Sequence, residues 1–215
     1  MLEIILENYS DSSLCRSAIS HSHESFPMIS HHFSGGKVYG ICSDFGCGAW
    51  ALSTSLGGRG EHPHGTIRYN GNIINNKLLI KNSCFISEKI YPGINSRLYL
   101  HSAEYCINKA LNHSNSQYTL CDIVRMFHLS PECLNRNLSY VYYYNIWFIS
   151  MAIGFAAGKD IFCFPWLNIR DFGCFERMCS LGVVNQLKKS GKIILVPSNH
   201  VDRLKTVCDE LLIIE

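Results

Sequence analysis

The sequence predicts a mixed α/β domain: a largely parallel sheet with helices on both faces, an antiparallel β part near the N-terminal end, and an inserted helical stretch in the middle. Three observations lead there. In the last third, short apolar runs at 160–165, 192–197 and 210–214 alternate with helical patterns at 172–189 and 201–208. Strands separated by helices read as parallel, because the crossover helix returns the chain to the same end of the sheet. At 37–56 an apolar strand, Lys37 to Cys42, runs into the loop Ser43-Asp44-Phe45-Gly46-Cys47-Gly48 and then into a helix pattern. That is the order in which phosphate-binding loops are built. From Ser96 to about Gly158 the pattern is helical, broken at 112–115 and at Ser130-Pro131.

Taken in chain order, residues 2–6 are a short strand and 8–24 a polar stretch, followed by a strand at 26–33 that ends in the turn Ser34-Gly35-Gly36. The helix after the glycine loop covers 49–56, with Gly57-Gly58 expected to stop it. Residues 64–71 alternate and end in Asn70-Gly71, a hairpin signal, and 82–87 form a further strand. The chain is expected to be one domain over 1–215: a β-rich part with the glycine loop (1–94), a helical subdomain (95–158) and a C-terminal α/β part (159–215).

Composition excludes several classes. A chain of 215 residues, 47% hydrophobic, buries a core without disulfides or metals. A net charge of +2 with 17% charged residues lacks the clustered Lys and Arg of a nucleic-acid footprint, so no nucleic-acid partner is expected. The apolar run at 147–157 is well short of the roughly 20 residues that span a bilayer, so the chain is expected to be soluble in itself. Eleven cysteines include no CxxC pair, which favours buried reduced thiols in a cytosolic protein. The pairs His21/His23, His31/His32 and His62/His64 sit among loop residues, and a metal needs three or four converging ligands; no metal is expected.

Against this layout, the order of motifs resembles ABC-type ATPase domains along nearly the whole chain. The family's loop has the form G-x-x-G-x-G-K-S-T. Residues 43–51 keep its inner glycines as Gly46 and Gly48, around Cys47, but put Ser43 at the first glycine, Ala49 at the phosphate-gripping lysine and Trp50 at the magnesium-binding hydroxyl. Glu88 stands where the family usually has a glutamine that reaches metal and water. The signature segment falls at 141–145, or in another register from Leu138-Ser139; neither has the paired glycines. The Walker B strand ends in Pro165-Trp166 in place of Asp-Glu. The switch histidine is His200 by identity or Asn199 by spacing, and the ending Cys208-Asp209-Glu210-Leu211-Leu212 is similar to the family's. The resemblance implies a P-loop NTPase-like ABC ATPase fold.

It also implies lost chemistry. In the family, lysine neutralises the phosphates, and the loop hydroxyl and Walker B aspartate hold Mg²⁺. With Ala49, Trp50, Pro165 and Trp166 at these places, charge, metal and base all go, and each is worth orders of magnitude in rate. Gly46, Cys47, Gly48, Glu88 and His200 are left as a vestigial nucleotide site: no cofactor is expected, and ATP with Mg²⁺ binds weakly at most. Four tyrosines within five residues, Tyr140 and Tyr142 to Tyr144, cannot all face inward on a helix. Tyr142, Tyr143 and Tyr144 are therefore expected at a subunit interface. The expectation is a catalytically degenerate nucleotide-binding-domain-like subunit of a bacterial ABC transporter. It would partner an active ATPase subunit or a permease, in the cytoplasm against the inner face of the membrane. The alternatives are an ABC-fold binding protein acting away from a transporter, a weakly ATP-binding transporter ATPase, and an unrelated enzyme using His and Cys.

Overall fold

The structure is a computed structural model that describes residues 2–16, 21–86, 101–141 and 143–215. It contains two sheets. The first is antiparallel, in the order β2-β1-β4-β5, from β1 (Glu3–Arg16), β2 (His21–Ser34), β4 (His64–Tyr69) and β5 (Asn72–Ile73). The second is parallel throughout, in the order β6-β7-β8-β3-β9, from β3 (Lys37–Cys42), β6 (Ser83–Phe85), β7 (Ile161–Cys163), β8 (Ile193–Ser198) and β9 (Glu210–Ile213). The apolar segments near 37, 161 and 193 are β3, β7 and β8, and they lie side by side with β8 between the other two.

Both faces of the parallel sheet are covered, so its strands read as unbroken apolar runs. On one face Val38, Phe162, Phe164, Ile194 and Val196 pack against the helices of the middle and C-terminal parts. On the other, Tyr39, Ile41, Ile161, Cys163, Ile193 and Leu195 pack with helix α1 (Ala49–Thr54) and with Ile4, Leu6, Tyr9 and Phe33 of the antiparallel sheet. All six residues of α1 are buried, because the helix lies between the two sheets. This placement matters for the site: α1 carries the glycine loop at its N-terminus, and strand β2 passes over that loop.

The middle of the chain folds as α3 (Ala103–Ser114), α4 (Leu120–Met126), α5 (Pro131–Asn135) and α6 (Tyr143–Ala156). Their starts are written in the sequence: Ser102, Thr119 and Ser130 each cap the helix that follows, with Asp122 completing a capping box at Thr119. Every residue from Ile146 to Ala156 is buried, so α6 has no polar face and forms the axis of the helical part.

Three local expectations differ from the structure. The polar stretch 8–24 belongs largely to β1 and β2, a hairpin of two 14-residue strands. Its polar residues alternate with buried ones, Asp11, Ser13, Cys15 and Glu24, so its inward face is itself partly polar. Gly57-Gly58 does end the helix as expected: Gly58 is left-handed (φ +76°), after the run from α1 has widened into a π-helical turn, Ser55–Arg59, where the Arg59 guanidinium lies 4.2 Å from the centre of the Phe85 ring. A helix not expected from the sequence, α2 (Asn76–Asn82), follows β5 and is capped by Asn75. The expected helix at 172–189 is two, α7 (Ile169–Ser180) and α8 (Val183–Lys189), separated at Leu181-Gly182. Helix α9 (Val201–Val207) lies between β8 and β9 in the chain.

Candidate functional site

The loop between β3 and α1 closes on itself through one backbone hydrogen bond and one from backbone to side chain. Cys47 N–H donates to the Asp44 carbonyl at 3.0 Å, and Ala49 N–H to Ser43 Oγ at 3.1 Å. Gly46 (φ +89°) and Gly48 (φ +107°) occupy left-handed backbone space that side-chain-bearing residues avoid. Successive N–H groups in such a turn, continued into the first turn of a helix, converge on one point and favour an anion there.

That point is occupied by the chain itself. Glu24, on β2 and only 1% exposed, places its carboxyl in the loop. Gly46 N–H donates to Glu24 Oε1 at 3.1 Å and Gly48 N–H to Oε2 at 3.3 Å. The backbone N–H groups of Ala51 and Trp50 lie close enough to favour its charged form, without making further hydrogen bonds of ordinary geometry. Burial pushes the Glu24 carboxyl above its ordinary value, and the four N–H groups pull it part of the way back. Strand β2 is close enough to make the contact because the sixth loop residue has no side chain: a Cβ on Gly48 would lie 2.7 Å from both Phe26 Cβ and the Ser25 carbonyl oxygen.

The neighbouring volume is aromatic. Trp50, at the second position of α1, is fully buried, and its indole N–H has no hydrogen-bond acceptor among the described residues. Phe45 of the loop sits with its ring centre 6.2 Å from that of Trp50 and 5.3 Å from that of Trp166, the latter edge-to-face. Ser53 Oγ donates to the Phe164 carbonyl at 2.8 Å, holding α1 against the end of β7. The loop and the segment Pro165-Trp166 are thus brought together, as the sequence order implies. What meets there is apolar surface, with Pro165 and Trp166 both buried and Phe45 still 47% exposed.

The other expected site residues are placed as follows. Ala49 is buried at the start of α1, while Cys47 is exposed on the loop. His200 caps α9 and stands edge-on to Phe172 at 5.9 Å; its backbone N–H donates to Ser198 Oγ at 3.2 Å. Glu88 and Tyr142 lie outside the described residues, and of Tyr143 only the backbone is described, as the first residue of α6. Tyr144 is 39% exposed and Tyr140 76% exposed, just ahead of α6. Among the described residues no group of three His, Cys, Asp or Glu converges as a metal site. Nor is any described helix long and apolar enough to cross a membrane. All eleven cysteines are free thiols. Burial pushes Cys84 up to about 12 and Cys106 up to about 11, which holds both protonated and unreactive at neutral pH.

Glu24 is the residue that sequence reasoning missed. Its only local signal is an acid on the inward register of a strand, with Glu24 and Phe26 buried between exposed His23, Ser25 and Pro27. Nothing local says that the inward direction there points at a loop more than twenty residues away.

A parallel sheet in which an inner strand, β3, feeds a glycine loop and buried helix, with an antiparallel sheet across that helix and a helical insertion, defines a P-loop-type α/β domain. Among such domains this one has the fold of the ABC transporter ATP-binding cassette. It superposes on a protein described as an ABC transporter ATP-binding protein from Pyrococcus furiosus with a TM-score of 0.68 and 15% identity, covering 98% of this chain and 96% of that one. It matches a nucleotide-free ATP-binding cassette from an ABC transporter with a TM-score of 0.66 and 13% identity, over 100% and 88% of the two chains. A third match is cbiO1 from Clostridium perfringens, part of the ABC transporter complex cbiONQ, with a TM-score of 0.63, 13% identity, and 98% and 85% covered. No family model matches the sequence, and no curated protein does.

Proposed function

We propose that this chain is a catalytically degenerate, nucleotide-binding-domain-like subunit of a bacterial ABC transporter complex, acting as a structural or regulatory partner. In this reading it pairs with a second ATPase subunit, sits beneath a permease, and lies on the cytoplasmic face of the membrane without crossing it. The observation that carries the reading is the buried Trp50, with Phe45 and Trp166 beside it. Mg²⁺ and the terminal phosphates need small hydroxyl and carboxylate oxygens at these places, and a water-filled path to them. Two indoles and a phenyl ring supply neither ligand nor path. The fold likeness supports the setting, since the neighbours are transporter ATP-binding subunits and cbiO1 is part of such a complex.

The test is calorimetry of the purified chain with MgATP. The expected result is no saturable heat at millimolar nucleotide, and no phosphate release by Ala49→Lys, because the metal ligand and the base are still missing. Magnesium-dependent binding in the micromolar range would sink the proposal.

A further inference from the structure

We propose that Glu24 is a built-in substitute for phosphate: its side chain permanently fills the loop's anion cradle, so that the loop keeps its shape with no nucleotide and the β1–β2 hairpin is latched to α1. The inference rests on the nucleotide-independent reading above and supplies its means.

The argument begins with what a glycine loop needs. Its converging N–H groups are strong donors, and leaving them buried and unmatched is costly. In a loop that binds nucleotide, phosphate oxygens or water meet them. Here both carboxyl oxygens of Glu24 accept, one from Gly46 and one from Gly48, and the nearby N–H groups of Ala51 and Trp50 favour its charged form. A carboxyl group presents two oxygens about as far apart as two phosphate oxygens, so it suits the same donors. The acid is not a surface side chain that happens to bend inward. It stands on the buried register of β2, and the strand's backbone is pressed against Gly48. Glu24 and the loop therefore hold one another: the carboxyl satisfies the donors, and the donors compensate for burying the carboxyl.

This arrangement makes a discriminating forecast. Replacing Glu24 by Ala removes the carboxyl group and its methylene, nearly as many heavy atoms as a phosphate ion has, while β2, Trp50 and Trp166 are expected to stay where they are. A small tetrahedral anion should enter, and a nucleotide should not.

The experiment compares thermal unfolding of the native chain, Glu24→Ala and Glu24→Gln, each with and without 50 mM inorganic phosphate and with MgATP, at matched ionic strength using chloride. The native Tm is expected to ignore both. Glu24→Ala is expected to unfold at lower temperature and to regain about 3 °C or more with phosphate, but nothing with MgATP. Glu24→Gln, which keeps the shape and one acceptor, is expected to fold even where the Ala variant does not, and to respond to phosphate less. If both variants are as stable as the native chain, or are destabilised yet blind to phosphate, the inference is overturned while the proposed function stands. If the native chain itself is stabilised by MgATP, the proposed function falls; should Glu24→Ala then bind at least tenfold more tightly, Glu24 is still the occupant of the cradle.

Discussion

Gly46 and Gly48 share a positive φ but serve different ends. Around Gly46 an added Cβ meets nothing within 4 Å, so only its backbone angle calls for glycine. At Gly48 the angle and the space both do, since β2 fills the position a side chain would take. Gly46→Ala is expected to cost about 1–2 kcal/mol, the usual strain of a left-handed residue. Gly48→Ala adds displacement of a strand backbone and is expected to cost about 3 kcal/mol or more. Urea unfolding of the two variants measures the difference. Equal costs would mean that β2 does not lie on the loop, and would count against the role assigned to Glu24 as well.

Strand β1 and the π-helical turn after α1 are joined by a second buried acid. Asp11, 3% exposed, accepts from Ser55 Oγ at 2.6 Å, Tyr9 Oη at 3.1 Å and His62 N–H at 2.9 Å. Burial is the main reason the Tyr9 phenol is pushed well above its ordinary value, so it stays a donor across the physiological range. The segment after the turn crosses so near that a Cβ on Gly60 would overlap the Asp11 carboxylate. Two inward acids of the same hairpin thus latch it at opposite ends of one helical run, Asp11 at the far turn and Glu24 at the loop. Asp11→Ala removes the acceptor of the Ser12 and His62 N–H groups and leaves the Tyr9–Ser55 hydroxyl pair, 2.6 Å apart, with one acceptor fewer than it has donors; it is expected to cost about 2–4 kcal/mol. Asp11→Asn keeps the shape, lets the two hydroxyls turn round, and is expected to cost about 1 kcal/mol. Chemical denaturation distinguishes them; an Ala variant as stable as native would show that the hairpin is held by its apolar face alone.

For the whole molecule the consequence is a cassette outline whose parts are fastened internally. In the pairing proposed above, aromatic surface would take the place that ATP holds between ordinary ABC subunits; Tyr140 and Tyr144 are exposed at the entrance to α6. Aromatic rings bury favourably without charge, so subunit association through this face is expected to be indifferent to nucleotide. Replacing Tyr140 and Tyr144 with Ser is expected to weaken association about tenfold or more while leaving the isolated chain folded, as such positions at interface centres do. Sedimentation with and without ATP checks both parts. Association untouched by the substitutions, or switched by ATP through this chain's own loop, would refute the interface.

The parallel sheet and the helical insertion were legible in the sequence because each follows from local patterning. Continuous apolar runs at 37–42, 161–164 and 193–197 can only be strands covered on both faces, and Ser102, Thr119 and Ser130 announce their helices. The place of the glycine loop, with Ala49 and Trp50 opening the helix after it and Pro165-Trp166 following β7, was likewise set by residue identity and order. Tertiary structure alone decided three things. It put Phe45 between Trp50 and Trp166, it turned an apparently polar stretch at 8–24 into a hairpin, and it brought Glu24 into the loop. The reason is physical: periodicity reports which side of a strand is buried, but the partner it is buried against depends on how two sheets close over one helix.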